Sequence, residues 1–359
     1  MLRVGILTSG GDCQGLNAAI RAVGKALYLK FGKDVEIYGL RDGYKGLITG
    51  DVWKMTPNDF SGIINLGGTI LGTSREPYKL LISGTPEAKE KIEGMKSTYK
   101  KLKLDCLVIL GGNGTHKTAN LLSELGMHVI TLPKTIDNDL WGTDVTFGFQ
   151  SAVAVAANVL DSIHTTATSH GRVFIVEIMG HKVGWLTLYA GIAGSANAIL
   201  LPEIPYDTKV LARMIDKRSK NGKRFSIIAI AEGAMSKDEA KLNKREFRSK
   251  REQQAYPSVA YQLADELGQL TGHEVRVAVP GHIQRGGSPC PYDRVLATRF
   301  GAAAAKLIAD KNWGNMVGMR DGIIVPVPLK EVAGKLKTVP LDNDVIQTAR
   351  DIGITFGDK

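Results

Sequence analysis

Short apolar, β-branched runs recur along the chain. Each ends in a glycine-rich or acidic turn and is followed by a stretch with helical spacing. Arg3–Leu7 predicts a strand that passes through Thr8-Ser-Gly-Gly-Asp12 into a helix over about Leu16–Leu29, and Val35–Leu40 predicts a second strand. Cys106–Leu110 leads through Gly111-Gly-Asn-Gly-Thr115 into a helix ending near Glu124, and Val129–Leu132 leads into Pro133-Lys-Thr-Ile-Asp-Asn-Asp139. Val173–Ile178, Ile199–Leu201, Ser226–Ala231 and Glu274–Val279 repeat the theme. Apolar strands alternating with helices predict parallel sheets covered on both faces, with functional loops at the carboxyl ends of the strands. The unusual Gly, Asp and Arg residues fall at those ends.

At 359 residues the chain is long enough for about two domains, each with its own core. Net charge is +10, which predicts anionic partners and leaves nucleic acid, a membrane surface and phosphorylated metabolites open. Ser236–Glu252 carries seven Lys/Arg and four Asp/Glu but only one aromatic, Phe247, so it reads as a solvated helix or loop and not as a nucleic-acid patch. No apolar run approaches the ~18–20 residues of a membrane span, and the chain opens directly on a strand pattern, so neither membrane nor signal peptide is expected. Cys13, Cys106 and Cys290 form no CxxC pair and predict reduced thiols in a cytoplasmic protein.

Three loops carry the candidate chemistry. At Thr8–Asp12, glycines between a strand and a helix start expose backbone N–H groups, and the helix dipole adds positive potential. The loop is neither GxGxxG nor a GxxxxGK[ST] phosphate loop, and alone it fits a plain tight turn as well as a phosphate cradle. Gly111–Thr115 repeats the device, and two cradles on neighbouring strands suit a nucleoside polyphosphate. Thr135-Ile-Asp137-Asn-Asp139 places two carboxylates beside Lys134 directly after an apolar strand. Phosphoryl transfer needs such a base and a metal, although an Asx-turn capping a helix explains the same residues structurally.

The second half adds cations. Arg172 precedes a strand, Arg276 lies inside one, and His282 and Arg285 lie in Pro280-Gly-His-Ile-Gln-Arg-Gly-Gly-Ser288. An arginine in a strand buried on both faces requires an anionic partner, and its guanidinium fork suits phosphate. Glu232, closing the strand Ser226–Ala231, suits sugar hydroxyls.

Together Leu7-Thr-Ser-Gly-Gly-Asp12, Leu16-Asn-Ala-Ala-Ile-Arg21, Gly111-Gly-Asn-Gly114, Pro133–Asp139, Val176-Glu-Ile-Met-Gly180 and Gly281–Ser288 resemble the 6-phosphofructokinases, in order from residue 1 to about 320. The resemblance implies transfer of a phosphoryl group to the C1 hydroxyl of fructose 6-phosphate, with ATP and Mg²⁺, in a homo-oligomer, a tetramer. It implies two Rossmann-like three-layer α/β domains with mainly parallel sheets and the active site in the cleft between them. Residues 1–148 plus about 284–334 would bind the donor, and about 149–283 plus 335–359 the sugar phosphate. Carried over by position, Asp137 matches the general base, with Thr135 and Asp139 flanking it on the substrate and metal side. Gly11, Arg75, Glu76 and Gly112–Thr115 match nucleotide contacts. Met179, Gly180, His181, Glu232, His282 and Arg285 match the sugar-phosphate pocket, and Arg172 and Arg276 match two arginines reaching it from a neighbouring subunit.

Three positions depart from the familiar bacterial pattern. Asn113 replaces an aspartate that helps hold Mg²⁺ and, with Asp139, stays a candidate metal ligand through its amide oxygen, His181 replaces an arginine, and Lys134 is a feature of pyrophosphate-dependent members. Those members carry an aspartate at Gly114 that closes the nucleotide space. Here glycine leaves it open, so ATP is expected over pyrophosphate as donor. Asn113 and His181 also admit a binding protein without catalysis, against which Asp137, Asp139 and the two arginines stand.

Overall fold

The structure is a computed structural model that describes residues 1–253 and 256–359. The chain divides into two compact units: Met1–Ser151 with Arg285–Lys337, and Ala152–Gln284 with Thr338–Lys359.

Unit 1 contains β1 (Leu2–Thr8), β2 (Val35–Leu40), β3 (Val52–Met55), β4 (Cys106–Gly111) and β5 (Val129–Pro133). Unit 2 contains β6 (Val173–Ile178), β7 (Ala198–Leu200), β8 (Ser226–Ala231) and β9 (Val275–Ala278). The chain then returns to unit 1 for β10 (Asn315–Arg320) and β11 (Ile323–Pro328).

The unit 1 sheet has the order β11-β10-β5-β4-β1-β2-β3. Its pairs are parallel except β2–β3 and β10–β11, which place an antiparallel strand at each edge. Every residue of β4 is buried, as expected of a central strand covered twice. On one face Leu7, Leu107, Ile109 and Val129 pack with Tyr44, Met95, Ala119 and Leu122 from three helices. The helices Leu16–Phe31 and Pro291–Ala309 pack together as a further layer. β3, β10 and β11 are not conspicuous in the sequence. β11 contains Pro326 and Pro328, which cannot donate to a ladder and suit only an edge.

The unit 2 sheet has the order β7-β8-β6-β9, all parallel. Val173, Ile175, Ile228 and Ile230 pack against Leu211, Ile215, Leu263 and Leu267 of the helices Thr208–Lys220 and Val259–Thr271. β9 is an edge strand with a half-exposed pattern. Ser236–Glu252 forms a 3₁₀ turn and the helix Lys244–Glu252, anchored by Arg251 on the buried Glu239 at 3.1 Å. The three cysteines are free. No helix among the described residues is long and apolar enough to cross a membrane.

Candidate active site

In unit 1, β1 and β4 are neighbours, so their carboxyl ends bring the two glycine loops together. Gly10 has φ 84°, a left-handed conformation that glycine adopts without penalty. The Gly10 N–H donates to the Ser74 carbonyl at 3.0 Å, tying the first loop to the segment that carries Arg75. Gly112 precedes the helix Asn113–Glu124, and no described side chain caps that helix. Its first-turn N–H groups are therefore available to an anion. Thr115 donates its hydroxyl to the Ser9 carbonyl at 3.4 Å, and the buried Tyr44 donates to the Thr115 carbonyl at 2.9 Å. Beneath the turn, His116 Nδ1 lies 2.8 Å from the Gly112 carbonyl, and burial pulls the imidazole pKa down to about 4.

Two cations line the first loop. The Lys134 ammonium donates to the Gly11 carbonyl, and a Cβ on Gly10 would lie 3.7 Å from it. Burial pulls the Lys134 ammonium below its ordinary range. Arg285 donates to the Asp12 carbonyl at 3.1 Å, and a Cβ on Gly11 would lie 2.9 Å from its guanidinium. Arg285, assigned from the sequence to the sugar-phosphate pocket, is thus in unit 1 on the first glycine loop. A Cβ on Gly114 would meet nothing within 4 Å, so the space beside it is open. Arg75 is exposed, and Glu76 pairs with Lys91 at 2.8 Å.

The acidic loop leaves β5 at Pro133. The Asp137 N–H donates to the Thr135 hydroxyl at 3.0 Å, holding Asp137 half-buried at the strand mouth. Asn138 has φ 53°, and its Oδ1 accepts from the Thr146 N–H at 3.1 Å and from the Lys337 ammonium at 3.0 Å. Lys337 is itself pulled down to about 8 by burial. Asp139 is buried, its Oδ1 has no hydrogen-bond partner among the described residues, and burial raises its carboxyl pKa.

An unsatisfied buried carboxylate oxygen fits a cation ligand. No group of three or more His, Cys, Asp or Glu among the described residues could hold a metal by itself. The donor set therefore fits Mg²⁺ as it binds in phosphate-transfer sites, with one carboxylate from protein and the rest from phosphates and water. Asn113, expected as a second ligand, spends its amide N–H on the Lys335 carbonyl at 2.6 Å.

In unit 2, the His181 N–H donates to Glu232 Oε1 at 2.6 Å, joining the turns that close β6 and β8. His181 is left-handed, with φ 51°, and exposed. The turns lie so close that a Cβ on Gly233 would collide with the His181 carbonyl oxygen. The Met179 N–H donates to Oε1 of the buried Gln284 at 3.2 Å, and Gln284 donates to the Gly281 carbonyl at 3.1 Å. That glutamine ties Met179 and Gly180 to the turn bearing the exposed His282.

Arg276 is a correction. β9 is an edge strand, the Arg276 side chain is 56% exposed, and no buried charge has to be neutralised there. Instead Arg172 and Arg276 share Glu274: Arg172 Nε lies 2.7 Å from Oε2, and Arg276 donates to Oε1. The two guanidiniums hold the Glu274 carboxyl below its usual range, the Arg172 hydrogen bond most of all.

The phosphofructokinase family model matches residues 3–308. The chain belongs to the phosphofructokinase family. The ATP-dependent 6-phosphofructokinase of Spirochaeta thermophila is 54% identical, covering 99% of this chain and 97% of that one. The phosphofructokinase of Saccharomyces cerevisiae superposes with a TM-score of 0.78 at 30% identity over 92% of this chain, which spans 45% of the yeast chain's length. The pyrophosphate-dependent phosphofructokinase of Marinobacter aquaeolei superposes with a TM-score of 0.80 over 98% of this chain and 91% of that one. At 22% identity the last likeness shows the fold.

Within this phosphofructokinase fold, unit 1 gathers Gly11, Gly112–Thr115, Lys134, Thr135, Asp137, Asp139 and Arg285 at strand ends of one sheet. Unit 2 gathers Met179, Gly180, His181 and Glu232 on two adjoining turns, with Arg172 and Arg276 on Glu274. Sequence reasoning missed Lys337, Gln284 and Glu274. Their long-range partners Asp144, Met179 and Arg172 lie 193, 105 and 102 residues away, at separations no local pattern marks, although Glu274 also meets Arg276 two residues on. Gln284 carried one usable signal, since it lies inside the Gly281–Ser288 motif.

Proposed function

We propose that this chain phosphorylates fructose 6-phosphate at its C1 hydroxyl with ATP, giving fructose 1,6-bisphosphate and ADP, a step of glycolysis carried out in the cytoplasm. The observation that carries the reading is in unit 1: a base-bearing loop leaves β5 beside two glycine loops, the first lined by Lys134 and Arg285, and the space at Gly114 is clear. The relative at 54% identity is ATP-dependent, and an open Gly114 is what a nucleotide donor needs.

Asp137 takes the proton of the C1 hydroxyl as that oxygen bonds to the γ-phosphorus. The bond from the γ-phosphorus to its bridging oxygen breaks, and ADP leaves with the electron pair. N–H groups of the first glycine loop and of the helix Asn113–Glu124 hold the phosphates, and Lys134 and Arg285 offset their charge. Asp139 would hold Mg²⁺, which when bound spreads the charge of the moving phosphoryl group. Glu232, with Met179 and Gly180, receives the sugar. Arg172 and Arg276 bind the 6-phosphate of a neighbouring subunit's substrate in a homotetramer, with Glu274 aligning the pair.

The test is phosphorus NMR of the product after incubation with fructose 6-phosphate, ATP and Mg²⁺. The reading predicts ADP and a sugar bisphosphate with the new phosphate on C1. ATP left intact, or a phosphate on another carbon, would refute it.

A further inference from the structure

One half-buried cation serves neither glycine loop. Lys337 ends the last segment of unit 1, and its ammonium donates to Asn138 Oδ1 at 3.0 Å, the Thr143 carbonyl at 2.9 Å and the Asp144 carbonyl at 2.8 Å. An ammonium has three N–H donors, enough to reach each of these acceptors. The Lys337 backbone N–H also donates to the Asp139 carbonyl at 2.9 Å, and Leu336 bridges to Leu140. One residue earlier, the Lys335 carbonyl accepts from Asn113 at the start of the donor helix. Residues 335–337 thus form a strap fastened to the second glycine loop at one end and to the acidic loop at the other.

The ammonium is half-buried among backbone carbonyls, and the Asp144 and Asp139 carboxylates offset part of the cost of desolvating it. What it fixes is the loop Asn138–Asp144, where Thr143 and Asp144 lie outside any strand and their carbonyls have no ladder partner. That loop follows Asp137 directly and contains Asp139. The strap also gives the Asn113 substitution a purpose: a carboxylate in its place could not donate to the Lys335 carbonyl.

We propose that Lys337 is a positioning residue for phosphoryl transfer, setting the Asp137 and Asp139 carboxyls by clamping the loop that carries them, with Asn113 fastening the same strap to the donor loop. The proposal rests on the phosphofructokinase reading above for its kinetic arm only.

The experiment compares Lys337→Met, Lys337→Gln and Lys337→Arg in steady-state kinetics, melting temperature and amide hydrogen exchange, using the full chain. Lys337→Met should lower kcat by about tenfold to a hundredfold while both KM values stay within about threefold. Lys337→Arg, which keeps the charge and several donors, should recover part of that loss, and Lys337→Gln should fall between them. Exchange over residues 138–146 should quicken in Lys337→Met while β1 and β4 stay protected. A kcat of Lys337→Met within twofold of the parent would overturn the proposal. So would equal losses in Met and Arg variants that track a fall in melting temperature, or unchanged exchange at 138–146. If the parent chain does not turn over fructose 6-phosphate, the functional reading fails, and the exchange arm still decides whether Lys337 clamps the loop.

Discussion

Asp137 and His116 show how differently two titratable groups at the ends of neighbouring strands are used. Asp137 is half-buried at a strand mouth, where it can meet substrate, and its backbone is fixed by the Thr135 hydroxyl. Replacing it as Asp137→Ser should cut kcat by about 10²–10⁴-fold with little change in the KM for fructose 6-phosphate, as loss of a general base does. A variant keeping half its turnover in a coupled assay would remove Asp137 from that role. His116 is fully buried and stays neutral to support the Gly112 turn. Its folded pKa of about 4 lies below the ordinary value of 6.5, so the unfolded chain binds more protons between them. Stability from this residue is full above pH 6.5 and falls as the pH drops toward 4, by about 3 kcal/mol in all. Melting curves from pH 7 to 4.5 should show that loss in the parent and a shallower one in His116→Gln. Parallel curves would contradict the assignment.

Among the elements, the turns decide what the strands can present. The turn after β8 reaches the turn after β6 only because residue 233 has no side chain. Gly233→Ala should push His181 off Glu232, raising the KM for fructose 6-phosphate severalfold while leaving the ATP KM nearly unchanged, since both glycine loops lie in unit 1. Equal changes in both constants would mean that the substitution unsettles the whole unit. The same scale explains what the sequence could disclose. Central strands such as β4 and β6 are legible because burial on both faces makes them continuous apolar runs, and the glycine and acidic turns that end them follow directly. β3 and β11 lack that signature because they are edges. Arg276 misled for a related reason: a polar residue in a short apolar run reads alike in a central and an edge strand, and only the strand order tells them apart. The Lys337 contacts and the Gln284–Met179 contact are set by tertiary proximity, which no spacing encodes.

For the whole molecule, a charge of +10 suits substrates that are all polyanions, and it raises encounter rates that salt should reduce. If Arg172 and Arg276 serve a neighbour's substrate, catalysis is a property of the assembly. Mixing Asp137→Ser chains with Arg276→Ala chains, then reassembling them, should restore activity at low fructose 6-phosphate, because some sites regain a sound base and a sound arginine. Mixtures no more active than their parents would confine each site to one chain.

The donor is the sharpest test, because Gly114 and Lys134 bear on it in opposite senses. The decisive measurement is the ratio of kcat/KM for ATP to that for pyrophosphate, taken on the purified full chain with saturating fructose 6-phosphate and Mg²⁺. The open space at Gly114 predicts a ratio well above one, with Lys134 serving the phosphates of the nucleotide. A chain that turns over pyrophosphate far faster than ATP would contradict the account and make Lys134 the residue that selects the donor.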